Sequence, residues 1–283
     1  MKVVKKGITL LAVLNLLAVL LTGCGGGGGG GSSTSSGTSN TVSGIAAKGP
    51  LKGATVTIYA LNALGVQGAL LATTQTGTSG DYTANIGSYS GSILAIVSGG
   101  TYTNEATLLP VTNTAQLRAA MTNVSGNVLM TVTPLTEIAV QRAGILTEAN
   151  IELANALVSN MIGGVNIITT RPANVIVSSP STTAEKNYGL SLAAISQMVS
   201  SGTATSVSIA ISQIATDLAD NQIDVTGGNI SSALTTFISS GNNQTGLTTG
   251  TATVVQAIID STTSPIASNS LWDTMIWDTD TWQ

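Results

Sequence analysis

The chain has 283 residues, nine of them basic and thirteen acidic, with no histidine and a single cysteine. Without histidine it has no imidazole general base, no Ser-His-Asp or Cys-His nucleophile pair, and no imidazole ligand for a metal or haem. Apolar residues make up 43%, enough to supply a core, while charged residues make up 8%, far under the usual quarter, so the surface falls to Thr, Ser, Asn, Gly and Ala.

The chain opens on Lys2, Lys5 and Lys6, followed by an apolar run from Ile8 to Leu21 and then Leu21-Thr22-Gly23-Cys24. Asn15 interrupts the run, which falls short of the roughly 20 residues a bilayer crossing needs. A basic start, a short apolar stretch and a small-residue cleavage site together read as an export signal. Leu21-Thr22-Gly23-Cys24 resembles the bacterial lipobox. The resemblance implies cleavage between Gly23 and Cys24 and a diacylglycerol on the Cys24 thiol, giving two or three acyl chains. Each buried methylene adds about 0.8 kcal/mol of anchoring. Gly25 stands where an aspartate would resemble an inner-membrane retention signal, which favours the outer membrane and leaves its face open. Three basic residues leave with the signal, so six remain against thirteen acidic ones, a net charge of −7. That excludes a basic patch, and with it nucleic-acid binding, whose affinity rests on neutralised phosphates.

Seven glycines, Gly25 to Gly31, open a Gly/Ser/Thr/Asn tether that ends at Thr41. Its mean reach is roughly 22 Å. From Val42 to Val132 the apolar period is two. Ala54, Val56 and Ile58 alternate with Thr55, Thr57 and Tyr59, and Tyr82, Ala84 and Ile86 alternate with Thr83 and Asn85. Ile93 to Val97 is a continuous apolar strand, and Val128, Met130 and Val132 alternate again. Gly/Pro/Ser turns separate these segments, as in an all-β sandwich. Val42-Ser43-Gly44, Gly49-Pro50-Leu51-Lys52-Gly53-Ala54-Thr55-Val56, and Thr76 to Ser79-Gly80-Asp81-Tyr82 together resemble the carboxypeptidase regulatory-like domain. That family implies a transthyretin-like or Ig-like antiparallel β-sandwich, related to Cna-B stalk domains and used mostly as spacer or binding module.

Near Thr133 the period changes. Thr133-Pro134 fits an N-cap followed by proline at the first helical position. Ile151, Ala154, Leu157, Val158, Met161 and Ile162 mark one helical face. Thr182-Thr183-Ala184-Glu185 fits a capping box opening a helix to about Ser200. Val207, Ile211, Ile214 and Leu218 form a further stripe, as do Ile230, Leu234, Phe237 and Ile238, and then Val254, Val255, Ile258 and Ile259. Five or six helices make a small all-α bundle. The expected organisation is therefore an α+β multidomain chain: signal 1–23, lipidated Cys24 and tether 24–41, β-sandwich 42–132, helical domain 133–262 and a tail 263–283. The order of sandwich and helices, with Asn187-Tyr188-Gly189-Leu190 in the middle helix, resembles a lipoprotein group of environmental Gram-negative bacteria to which no activity is attached.

The tail holds Trp272, Trp277 and Trp282, with Trp-Asp-Thr twice. It reads either as a ligand or partner contact, through strand addition or stacking on sugars, or as a segment docked on its own domain. Asp217, Asp220 and Asp224 around Asn221 depart from the alternating calcium loop and read as a solvated helix end. Glu148 and Glu152 sit four apart on one helical face; paired carboxylates can hydrolyse glycosides without histidine, and two like charges at that spacing more simply point into water. Lys48 or Lys52, a Glu such as Glu105, and an Asn are the groups an internal isopeptide bond needs in Cna-B relatives. The expected role is structural or interactive and non-catalytic, without a metal or cofactor. The alternative is a surface module for polysaccharide or another extracellular polymer, with a hydrolase as a remote third. The expected partners are the membrane through Cys24 and an envelope protein or polysaccharide.

Overall fold

The computed structural model describes residues 39–223 and 227–249. The lipobox, most of the tether, Asp224, the stripe from Val254 to Ile259, and Trp272, Trp277 and Trp282 lie outside those residues.

Among the described residues, nine strands come first. They are β1 (Thr41–Ile45), β2 (Thr55–Leu61), β3 (Gln67–Gln75), β4 (Asp81–Asn85), β5 (Gly91–Ser98), β6 (Thr101–Thr103), β7 (Pro110–Thr112), β8 (Leu117–Val124) and β9 (Val128–Leu129). Five helices follow: α1 (Pro134–Ala143), α2 (Glu148–Met161), α3 (Thr183–Ser200), α4 (Val207–Asp217) and α5 (Gly227–Ile238). The result is a mixed β region followed by a helical bundle.

The strands form a three-stranded sheet in the order β4-β1-β9, a four-stranded sheet in the order β3-β2-β5-β8, and the short β6-β7 hairpin. A wholly antiparallel sandwich is not what forms. β9 runs parallel to β1, with Val42 opposite Val128 and Ser43 opposite Leu129, and the parallel pairing extends to Ala46 and Val132. The cause is the route of the chain. After β8 it turns back alongside β1, and β4 already occupies the other edge of β1.

The alternation read in the sequence becomes burial. Val56 and Ile58 of β2 share a face with Ala95 and Val97 of β5 and are fully buried. β5 and β8 are buried on both faces, and α1 and α2 pack over the outer side of β8. There Arg118 of β8 donates two hydrogen bonds to the Glu137 carboxylate of α1, at 2.9 and 2.6 Å. Both sheets and the helices contribute to one apolar core.

The helix starts have side-chain causes. Thr133 caps α1 with a reciprocal Thr136 contact, ahead of Pro134 at the first helical turn. Thr182 and Glu185 form the capping box of α3, and Thr147 and Ser206 cap α2 and α4. The Ile151–Met161 stripe faces inward, as do Ile211, Ile214 and Leu218, and Ile230, Leu234, Phe237 and Ile238.

Strand directions give the molecule two poles. The starts of β1, β3 and β5 and the ends of β2, β4 and β8 meet at one pole, with the loops 62–66, 86–90 and 125–127. The tether joins the fold here. Asn40 exchanges backbone hydrogen bonds with Ile86 and Gly87, and its side chain donates to the Tyr89 carbonyl. The opposite pole carries Lys48–Lys52, Gly77–Gly80, Gly99–Gly100 and the β6-β7 loop.

Three buried tyrosines set an alkaline limit. Burial pushes the Tyr82 and Tyr188 hydroxyls up, and that of Tyr102 to about 12. The unfolded chain loses these protons near pH of about 10 while the fold keeps them. Their stabilisation is therefore complete below that pH and is lost as the pH climbs through the folded values. In an alkaline titration, the last phenolate absorbance and the loss of ellipticity are expected to share one transition. Full phenolate formation in a still-folded chain would contradict this.

Candidate functional site

The far pole holds a charge cluster that the core would otherwise exclude. Lys48 follows β1 and is fully buried, and Glu105, in the β6-β7 loop, is 3% exposed. The Lys48 ammonium lies 3.1 Å from Glu105 Oε2 and donates to the Leu192 carbonyl at 2.9 Å and to Ser196 Oγ at 2.5 Å. An ammonium has three protons, and all three are used. Glu105 accepts in turn from the Gly49 amide at 3.0 Å and from Ser196 Oγ at 2.6 Å. The Tyr102 ring lies 5.7 Å from Lys48 Nζ. Burial lowers the Lys48 pKa, and the charge and hydrogen bond of Glu105 oppose that shift.

Local structure places each partner. The Asn104 side chain accepts from the Ala106 and Thr107 amides and fixes the loop that carries Glu105. Asn242 donates to the Glu105 and Ala106 carbonyls and ties that loop to the segment after α5. Leu192 and Ser196 are one turn apart on α3, so they present a carbonyl and a hydroxyl on one side. The cluster thus joins the end of β1, the β6-β7 loop and α3 through buried, mutually satisfied groups.

Lys48 and Glu105, named as isopeptide candidates, do meet, while Lys52 is exposed and outside the cluster. Among the described residues, the hydrogen-bond partners of Lys48 Nζ are Glu105, Leu192 and Ser196, with no Asn side chain.

Over the cluster runs an open groove of about 580 Å³. Pro50, Thr78, Ser79 and Thr103 of the far-pole loops form one wall. The segment from Arg171 to Ser181 forms the other, with Asn174, Val177 and Ser179. Arg171 pairs with Asp81 across the rim, both half-exposed. A void of about 10 Å³, lined by Glu105, Gly49, Ala173 and Gly189, separates groove from cluster. α3 and the Arg171 segment approach closely, because Gly189 has no side chain: a Cβ there would lie 2.3 Å from the Ala173 carbonyl oxygen. Tyr188 beside it hydrogen-bonds Thr133 and the Ile167 carbonyl, each at 2.8 Å.

The other sequence candidates scatter. Glu148 and Glu152 are exposed on α2, each accepting from a strand-side hydroxyl, Ser92 at 3.1 Å and Thr122 at 3.0 Å. Asp220 accepts from the Gln222 amide, and Asn221 takes a left-handed turn and accepts from Arg142. Among the described residues no group of three acidic, Cys or His side chains gathers as for a metal, and no helix is long and apolar enough to cross a membrane. Neither Ser196 nor the groove carried a sequence signal. Ser196 is one serine within an apolar helix, and the Arg171–Ser181 wall has no periodicity.

No protein-family model matches the chain, and no curated protein matches it. Among solved structures, a 9R-lipoxygenase from Cyanothece PCC8801 aligns at 13% identity over 45% of this chain and 25% of that one, with a TM-score of 0.23. The chain thus spans about a quarter of that protein's length, and a likeness so slight carries no argument on fold or activity.

Proposed function

We propose that the chain is a lipid-anchored lipoprotein of the cell envelope, in the outer membrane, with a structural or interaction role and no catalysis. The observation that carries this is Leu21-Thr22-Gly23-Cys24 behind a basic, apolar lead-in and ahead of a glycine-rich tether. The fold supports the division of labour. The tether joins one pole, and the groove opens at the other. The buried Lys48–Glu105–Ser196 cluster directs its groups at one another and braces the far pole. In this reading the β region is a carboxypeptidase regulatory-like, transthyretin-like module. Its support is the Pro50–Gly53 turn that carries β1 into β2, and Gly80 placed before buried Tyr82. Cells expressing the chain are expected to incorporate labelled palmitate into it and to retain it with outer membranes. Cys24→Ala is expected to abolish both. Unchanged labelling and fractionation would remove the reading.

The groove favours one second reading, a module for polysaccharide or another extracellular polymer. Its lining of Thr, Ser and Asn side chains beside prolines suits hydroxyl-rich, uncharged chains. Retention on a glycan panel tests it, with a chain ending at Asn269 as comparison to weigh the tryptophans. No retention on any glycan would dismiss it.

A further inference from the structure

Large apolar side chains are exposed at the pole where the tether joins. Leu64 is 73% exposed, Val66 56%, Leu70 54% and Ile145 47%. Topology and packing bring them together. Leu64 and Val66 sit in the β2-β3 turn, which Asn62 holds by accepting from both of their amides. Gly65 between them lies flat against the α1-α2 loop, where a Cβ would come within 2.4 to 2.6 Å of Leu146 and Thr147 backbone atoms. That contact seats the hairpin tip beside Ile145. Leu70 lies three residues up β3, an edge strand that carries no charged side chain between Gln67 and Gln75.

The same pole receives the tether. Asn40 donates to the Tyr89 carbonyl, and the Tyr89 hydroxyl donates to the Ser92 carbonyl at 2.8 Å with the carbonyl of Leu61, the last residue of β2, 3.5 Å away. Ser92 in turn reaches Glu148 at the start of α2. One short chain of contacts thus links the tether junction, the exposed hairpin and the α1-α2 loop.

We infer that this pole, through Leu64, Val66, Leu70 and Ile145, seats on a zwitterionic lipid surface. The inference rests on the proposed acylation of Cys24, and it adds an orientation that acyl chains at the far end of a Gly/Ser tether do not supply. With a mean reach expected to be roughly 22 Å, the proposed tether holds the pole near the headgroups, so a weak apolar contact becomes effectively intramolecular. Apolar side chains at an interface settle roughly 5–10 Å into the headgroup boundary. The charge of the pole selects the lipid. Among the described residues, Glu148, Glu152 and Asp220 are exposed around it, against Arg142 at the end of α1, so an anionic surface is repelled. The seated molecule turns the groove away from the bilayer.

The test uses the full acylated chain on phosphatidylcholine vesicles. Cys24 is the sole cysteine and its thiol is blocked, so Leu64→Cys takes an environment-sensitive fluorophore at one place. Leu109→Cys, 62% exposed at the opposite pole, is the control. Flotation with the vesicles, blue-shifted emission at position 64 and aqueous emission at 109 are expected. Flotation with aqueous emission at both positions overturns the seating and leaves the anchor intact. Failure to float overturns the anchor and the seating that rests on it.

Discussion

Glu105→Gln is expected to lower the unfolding free energy by about 3–5 kcal/mol, because it strands the fully buried Lys48 ammonium without its counter-charge. Lys48→Met is expected to cost a similar amount by stranding the Glu105 carboxylate. The informative variant is the pair. With Lys48→Met and Glu105→Gln together, no charge is left in the cluster, and the introduced carboxamide still has an oxygen to accept from the Gly49 amide. Replacing a buried pair with neutral groups is often close to neutral in stability. The double variant is therefore expected to lose at least about 2 kcal/mol less than the sum of the single losses, read from urea unfolding followed by circular dichroism. Additive losses would show that the cluster is not a coupled unit.

The second large effect belongs to Gly44, next to the last residue of β1. A Cβ there would lie 1.8 Å from the Met130 carbonyl oxygen and 2.7 Å from its carbon. That carbonyl also accepts from the buried Tyr82 hydroxyl at 2.6 Å, and Met130 donates its amide to Ser43. Gly44→Ala must push the β9 segment outward, which strains the sheet and takes the acceptor from Tyr82. Overpacking and a stranded buried hydroxyl together cost roughly 2–6 kcal/mol. Gly53→Ala is the matched control. Its site has φ of +67° and open space around the Cβ. It is expected to lose only the backbone preference of about 1–2 kcal/mol. Equal losses at both positions would mean that the contact with Met130 is not what demands a glycine.

Much of the fold was legible where one physical rule acts locally. Thr133-Pro134 and Thr182–Glu185 announce helix starts because the caps are made by neighbours in sequence. Val56, Ile58, Tyr82 and Ala84 announce strands because one of their faces is buried. β3 left no trace because its Gln-Gly-Ala-Leu-Leu-Ala run lies on an exposed edge, with register shifts near Tyr59 that break the period. β8 left none because helices cover its second face, so Ala119 and Ala120 are buried side by side. The parallel place of β9 depends on which edge of β1 is vacant, which no local pattern encodes.

The site divides in the same way. Lys48 and Glu105 were legible as a chemical pair of types, although 57 positions separate them. Ser196 and the Leu192 carbonyl were not, since their part depends on how α3 crosses the end of β1. The groove and the apolar pole are both products of topology, assembled from turns that lie far apart along the chain.

The central claim is that a lipid on Cys24 holds this molecule to the envelope. The intact mass of the chain extracted from cell envelopes tests it most directly. The expected species begins at Cys24 and exceeds residues 24–283 by a glyceryl group bearing two acyl chains, or by that and a third chain on the new amino group. A species with a free Cys24 thiol, or one that retains residues 1–23, would contradict the account.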